Sequence, residues 1–168
     1  PSTANSDVQT DNFLNYWGGE YNDVGHAVVQ TADGGYAVVG SQFNATNNED
    51  LYIVKFDTEL NISSENAYGG SANTDSTTNA YLTYNSLAND LQQTADGGYI
   101  TVGSIFNGTD YDVWVIKFTS NLTAAPTWET IISGIASYDD FGNSIQQMQS
   151  GKYLVCGTSY DGTDNEIR

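Results

Sequence analysis

Basic residues are nearly missing from this sequence: 4 Lys and Arg stand against 21 Asp and Glu in 168 residues, a formal charge of −17. Such a polyanion repels phosphate backbones and acidic lipid surfaces, which argues against nucleic acid or a charged membrane as partner. The single cysteine, Cys156, excludes an internal disulfide framework and any zinc site built on paired cysteines. No apolar run approaches the roughly 18–20 residues of a membrane span, so membrane insertion is not expected. Proline occurs only at Pro1 and Pro126, which leaves strand ladders uninterrupted. Charged residues make up 15% of the chain against a typical value of about 25%, and Asn, Ser and Thr fill the gap. The aromatic content of 12% argues against disorder, because that much ring surface can build a core. Low lysine, abundant hydroxyl and amide side chains and almost no cysteine suit an extracellular or cell-surface protein. The sequence opens on Pro1 rather than Met, which points to a processed or excised piece.

Self-comparison is the informative step. Residues 30–44, QTADGGYAVVGSQFN, return at 93–107 as QTADGGYITVGSIFN, identical at twelve of the fifteen positions. A diverged third copy runs over 147–161 as QMQSGKYLVCGTSYD. Downstream, the segment from Asp50 to Asp57 (DLYIVKFD) is matched by Asp112 to Thr119 (DVWVIKFT), and Trp17-Gly18-Gly19 and Tyr68-Gly69-Gly70 open the first two units. Each unit is expected to hold four short strands: A at 26–31, B at 36–41, C at 51–56, and a weak D leading to Tyr68. The strands are rich in Val, Ile, Tyr and Phe, turn signals separate them, and no helical period appears. Repeats of this length with four strands each mark the blades of a β-propeller.

The pattern Q-T-x-D-G-G-Y-x-V-x-G-S, preceded by aromatic-Gly-Gly and followed by D-x-Y/W-V/I-V/I-K-F, resembles the YGG…QTxDGGY propeller repeats of secreted and surface proteins. The resemblance covers nearly the whole chain from Trp17 and implies a propeller scaffold in an extracellular setting. The third copy departs from it, with Ser150 for Asp and Lys152 for the second Gly. Kelch repeats place their double glycine after the hydrophobic strand, whereas Gly34-Gly35 precedes it, and the sialidase Asp-box is absent. The expected fold is therefore all-β: four-stranded antiparallel blades of a β-propeller, about three of them in a partial ring. Residues 1–16 form a lead-in strand or linker, 17–67 the first blade, 68–127 the second and 128–168 an incomplete third.

Up-and-down strand order places the B–C loops and D–A connections on one rim. That rim gathers Glu49 and Asp50, Asp110 and Asp112, Asp139 and Asp140, with Glu20, Asp23, Asp161, Asp164 and Glu166. Hard cations take clustered carboxylates, so Asp50, Asp112, Asp139 and Asp140 are the candidate Ca²⁺ ligands; Asp and Asn serving turns is the competing explanation. No cofactor other than Ca²⁺ is expected. Asp33 and Asp96 each begin a hairpin turn, and Lys55 and Lys117 should pair with neighbouring carboxylates. His26 stands where Asn89 and Asn143 stand in the other copies, with no nucleophile placed beside it by pattern. Cys156 replaces Val39 and Val102, as a small apolar core residue would. Trp17, Trp114 and Trp128 could stack on sugars, although Trp114 replaces Tyr52 and better fits packing between blades. Asn44, Asn61, Asn107 and Asn121 begin N-x-[ST] sequons at loops and turns, the candidate glycosylation sites.

The function expected is non-enzymatic: an extracellular propeller module acting as a structural or protein-interaction unit of a surface layer, appendage, filament or adhesin. A carbohydrate- or calcium-binding module is the first alternative, and a hydrolase on a propeller scaffold the second. A propeller ring needs four to eight blades. Three repeats leave open ends, so the expected partners are further repeats of the same polypeptide or neighbouring subunits, with glycans as a further candidate. Tyr36 and Tyr99 are expected in equivalent, largely buried positions.

Overall fold

The computed structural model describes residues 20–43, 49–69, 85–122, 125–135, 137–160 and 162–167. Every regular element among them is a strand, and among these described residues no helix is long and apolar enough to cross a membrane. The first sheet runs β1 (Asp23–Gln30), β2 (Tyr36–Phe43), β3 (Glu49–Phe56) and β4 (Ile62–Tyr68) in sequence order. The second repeats it with β5 (Ser86–Gln93), β6 (Tyr99–Phe106), β7 (Tyr111–Phe118) and β8 (Trp128–Ile132). The third contains β9 (Asp140–Gln147), β10 (Tyr153–Tyr160) and β11 (Asn165–Ile167). All pairings are antiparallel. The aromatic-Gly-Gly signal closes a sheet: Tyr68 ends β4, and β8, which lies in the sequence unit starting at 128, bonds to β7.

The two glycines of the Asp-Gly-Gly turn do different jobs. Gly34 and Gly97 have φ of 88° and 81°, a left-handed conformation that a side chain resists. Gly35 and Gly98 lie against the end of the third strand, where a Cβ would overlap the carbonyl oxygens of Phe56 and Phe118. The third copy keeps this turn despite its substitutions: Met148 N donates to Lys152 O at 2.7 Å, and Gly151 has φ of 80°. No β11 residue pairs opposite Tyr153, so Lys152 meets no such carbonyl among the described residues.

A second repeated irregularity lies in the first strand of each sheet. The register slips at His26, Asn89 and Asn143, opposite Gly40, Gly103 and Gly157, whose bare Cα atoms admit the bulging backbone. A Cβ at Gly40 would overlap Val24 O, and one at Gly103 would overlap Leu87 O.

The sheets stack face on face in chain order. Ala37, Val39, Leu51 and Ile53 of the first sheet meet Leu91, Tyr99, Trp114, Ile116 and Phe118 of the second. Tyr68 stacks on Trp114 (centroids 5.6 Å, 21°) and meets Phe118 edge-on. On the other side, Ile100, Val102, Val113 and Val115 meet Ile145, with Tyr153 and Val155 packed against them. The strands β5, β6 and β7 of sheet 2 are thus covered on both faces while β8 stays exposed, and burial of each large apolar side chain contributes about 1.5–3 kcal/mol. The outer sheets differ. Val28 and Tyr36 of the first are 66% and 36% exposed, while their equivalents Leu91 and Tyr99 are 5% and 0%. The expected matched burial of Tyr36 and Tyr99 therefore fails: the register agrees, but only Tyr99 has a preceding sheet against it. Cys156 fails for the same reason. It holds the place of the fully buried Val39 and Val102 yet is exposed, because no described sheet follows the third.

Candidate functional site

Two kinds of hydrogen bond join each sheet to the next, and both recur at equivalent positions. Ala32 N donates to Gln93 Oε1 at 2.7 Å, and Ala95 N donates to Gln147 Oε1 at 2.8 Å. At the opposite rim, Glu49 N donates to Asn85 Oδ1 at 3.2 Å, and Tyr111 N donates to Asp139 Oδ1 at 2.9 Å. The second seam adds Asp90, whose Oδ2 accepts from Ser144 Oγ and Ile145 N at 2.7 and 2.9 Å. Asn85, Asp90, Gln93 and Gln147 were not evident as a set in sequence. The one available signal was the shared Gln at 30, 93 and 147 and the Asn, Asn, Asp at 22, 85 and 139.

The acidic rim divides between these seams. Asp50 lies in β3 opposite Gln42, beside Gly69 and Ser86. Ser86 Oγ in turn links Glu49 O and Leu51 N across the first seam. Asp112, Asp139 and Asp140 belong to the second seam. Asp110 and Asp112 are buried, and Asn107 clamps them: its Nδ2 donates to Asp110 Oδ1 and, at 2.8 Å, to Asp112 Oδ2. Asn107 Oδ1 accepts from Thr109 N and Asp110 N at 2.9 and 3.1 Å, so this sequon amide is fully engaged. Asp140 Oδ2 accepts from Gly134 N at 2.5 Å. Asp140 Oδ1 and Ser159 Oγ, in side chains 3% and 4% exposed, meet no hydrogen-bond partner. Gly134 is the shared wall of two hollows. One, of about 190 Å³, is lined by Val113, Ile132, Asp140, Val155 and Ser159. The other, of about 300 Å³, is lined by Asn107, Asp110 and Asp112. No group of three or more His, Cys, Asp or Glu able to hold a metal occurs among the described residues. A cation here would therefore have to take Asp140 with the Ser159 hydroxyl and backbone carbonyls.

The three described lysines stand at the other rim. Lys55 Nζ donates to Asp33 Oδ2 at 2.6 Å, and Lys117 Nζ to Asp96 Oδ1 at 3.0 Å. The lysine hydrogen bond, joined by the Thr31 hydroxyl, holds the Asp33 carboxyl well below the usual range. For Asp96 the Thr94 hydroxyl comes first and Lys117 second. The pairing in turn raises Lys55. Both lysines act structurally, and Asp33 and Asp96 also accept from Gly35 N and Gly98 N within their turns.

His26 is the bulging residue of β1, and Ser41 Oγ lies 3.4 Å from its Nε2. The pattern gave no such neighbour. The pair is the first sheet's version of a clamp that Asn143 Nδ2 makes with Thr158 Oγ1 at 3.2 Å in the third. Trp114 is 2% exposed and donates from Nε1 to Glu129 at 3.0 Å, a packing residue; Trp128 is 39% exposed and tilts against Tyr153. Asn61 donates to the Asp57 carboxylate in its turn, and Asn121 Oδ1 accepts from Thr119. Asn44, Trp17 and Asp161 lie outside the described residues. Compared with known protein families and with curated proteins, the chain matches none.

Proposed function

We propose that the three sheets are consecutive blades of a β-propeller, and that the chain is a non-enzymatic structural or protein-interaction module of an extracellular surface layer, appendage or adhesin. The observation that carries this reading is the repeated seam. Each later sheet sets its first strand against the sheet before it with the same glutamine and the same Asn/Asp acceptor. The polar groups that most resemble chemistry, Asp33, Asp96, Asn107, Asp139 and the His26–Ser41 pair, are occupied in turns, clamps and seams. The acidic, lysine-poor composition supports the extracellular setting. Antibodies raised against the purified chain should label intact producing cells in a continuous layer or along appendages. Label found only after permeabilisation would overturn the reading.

A calcium-binding role is the second reading, favoured by Asp140 Oδ1 and Ser159 Oγ, two buried acceptors without partners that both lie 2.8 Å from where a Cβ on Gly134 would sit.

A further inference from the structure

We propose that a second copy of this chain docks head to tail on the first, with β1 of one copy seated on the outer face of sheet 3 of the other. This deepens the blade reading and rests on it. The argument is continuity: two seams inside the chain follow one rule, and the counterparts of Ile145, Ile100 and Val102 and of the four hydrogen-bonding seam residues are present and exposed.

The rule has an apolar part and a polar part. In the second seam Ile145 of β9 packs among Ile100 and Val102 of β6. Pairing registers make Val28 the equivalent of Ile145, and Leu154 and Cys156 the equivalents of Ile100 and Val102. Val28 and Leu154 are 66% and 61% exposed, and Cys156 is exposed beside Leu154 on the same strand. Val54 and Phe56 of β3, whose counterparts Ile116 and Phe118 join the first seam, are already buried, so the open part of sheet 1 is β1 and the start of β2, the counterparts of the β9 and β10 residues that make the second seam. The polar part also carries over. Gln30 is the equivalent of Gln93 and Gln147, and Gln149 takes the place of Ala32 and Ala95. Asn22 is the equivalent of Asn85 and Asp139, and Asn165 takes the place of Glu49 and Tyr111. All four residues are exposed. Seating one copy on the next would therefore let Gln149 N donate to Gln30 Oε1 and Asn165 N donate to Asn22 Oδ1. The two faces are different surfaces, so the contact is heterologous. It closes into a ring if the rotation between copies permits and otherwise grows into a filament.

The lone cysteine makes the test direct. Val28→Cys should be joined to Cys156 of a neighbouring copy by a short bis-maleimide at micromolar concentration, giving a dimer or a ladder on denaturing gels. Mass spectrometry should map the link to positions 28 and 156. Glu59→Cys, on an exposed turn, should give no more than collisional dimer, and adding Cys156→Ser to Val28→Cys should abolish the ladder. In the wild-type chain, Val28→Asp should shift light scattering toward the 18.1 kDa monomer. A wild-type chain that is monomeric at high concentration, or a Val28→Cys link no stronger than the Glu59→Cys background, overturns the proposal. Leu91→Asp and Ile145→Asp separate this failure from that of the blade reading. If both leave the melting temperature unchanged, the internal seams themselves are absent; if both lower it while the position-28 link is missing, only the docking fails.

Discussion

Tyr99 is fully buried and Tyr36 is 36% exposed, although each stands opposite the last residue of its sheet's third strand, Phe118 and Phe56. Sequence identity placed them in the same register, and the neighbouring sheet decided their burial. Tyr99→Ala should therefore destabilise by about 3–5 kcal/mol, the range for emptying an aromatic site, and Tyr36→Ala by about 1 kcal/mol. Urea unfolding of the two variants checks this, and equal losses would mean the stacked-sheet core is misassigned. The Tyr99 hydroxyl meets no hydrogen-bond partner in its buried site, and burial raises its pKa. Tyr99→Phe should accordingly be neutral or stabilising.

The Asp-Gly-Gly turns predict an order of effects. Nothing lies within 4 Å of a Cβ at Gly97, so Gly97→Ala meets only the backbone penalty of its positive φ, about 1–2 kcal/mol. A Cβ at Gly98 would strike both the Lys117 ammonium and the Phe118 carbonyl, and would push apart the Asp96–Lys117 pair. Gly98→Ala should be the more damaging, beyond the ordinary overpacking range of about 1–3 kcal/mol. Thermal denaturation that ranks Gly97→Ala as the worse variant would contradict this division of labour.

That division was only half legible. The repeat, the strands and the turn role of Asp33 and Asp96 follow from local pattern, because turn chemistry acts within four residues. The second glycine's contact is with Phe118, twenty residues downstream, and local pattern cannot place it. The bulge at His26, Asn89 and Asn143 likewise depends on Gly40, Gly103 and Gly157 across the sheet. The seam from Ala32 to Gln93 spans 61 residues and joins a backbone N–H that carries no side-chain signature. Cys156 was misplaced because its apolar frame matches Val39 and Val102, while exposure is set by what lies beyond the sheet.

The turn pairs also fix a pH dependence. Asp33 and Asp96 have carboxyl pKa values held below their ordinary 3.8 in the fold. A depressed folded-state pKa means the stabilisation is present above pH 3.8 and is lost as pH falls through the folded values. Melting temperature should therefore fall as pH is lowered from about 4 toward 2. Asp33→Asn with Asp96→Asn should melt lower near neutrality and lose less on acidification. Parallel profiles for the double variant and the wild type would assign the acid loss to other carboxylates.

Asp140 offers the sharpest test of the acidic rim. Its Oδ2 is held by Gly134 N, while Oδ1 and Ser159 Oγ are buried without partners in a chain whose described lysines all lie at the far rim. A divalent cation would satisfy both acceptors and relieve repulsion with the buried Asp110 and Asp112. Calcium sites of extracellular modules have Kd values near 10⁻⁴–10⁻³ M, and 10 mM calcium over a Kd of about 1 mM stabilises by about 1.4 kcal/mol. The melting temperature should then rise by about 3–6 °C at fixed ionic strength. Magnesium, smaller and slower to shed its water, should give less. Asp140→Asn and Ser159→Ala should each abolish the rise, whereas Asp50→Asn, at the other seam, should retain it. A melting temperature unmoved by calcium or EDTA would leave the two acceptors to ordered water, and a rise that survives Asp140→Asn would place the ion elsewhere on the rim.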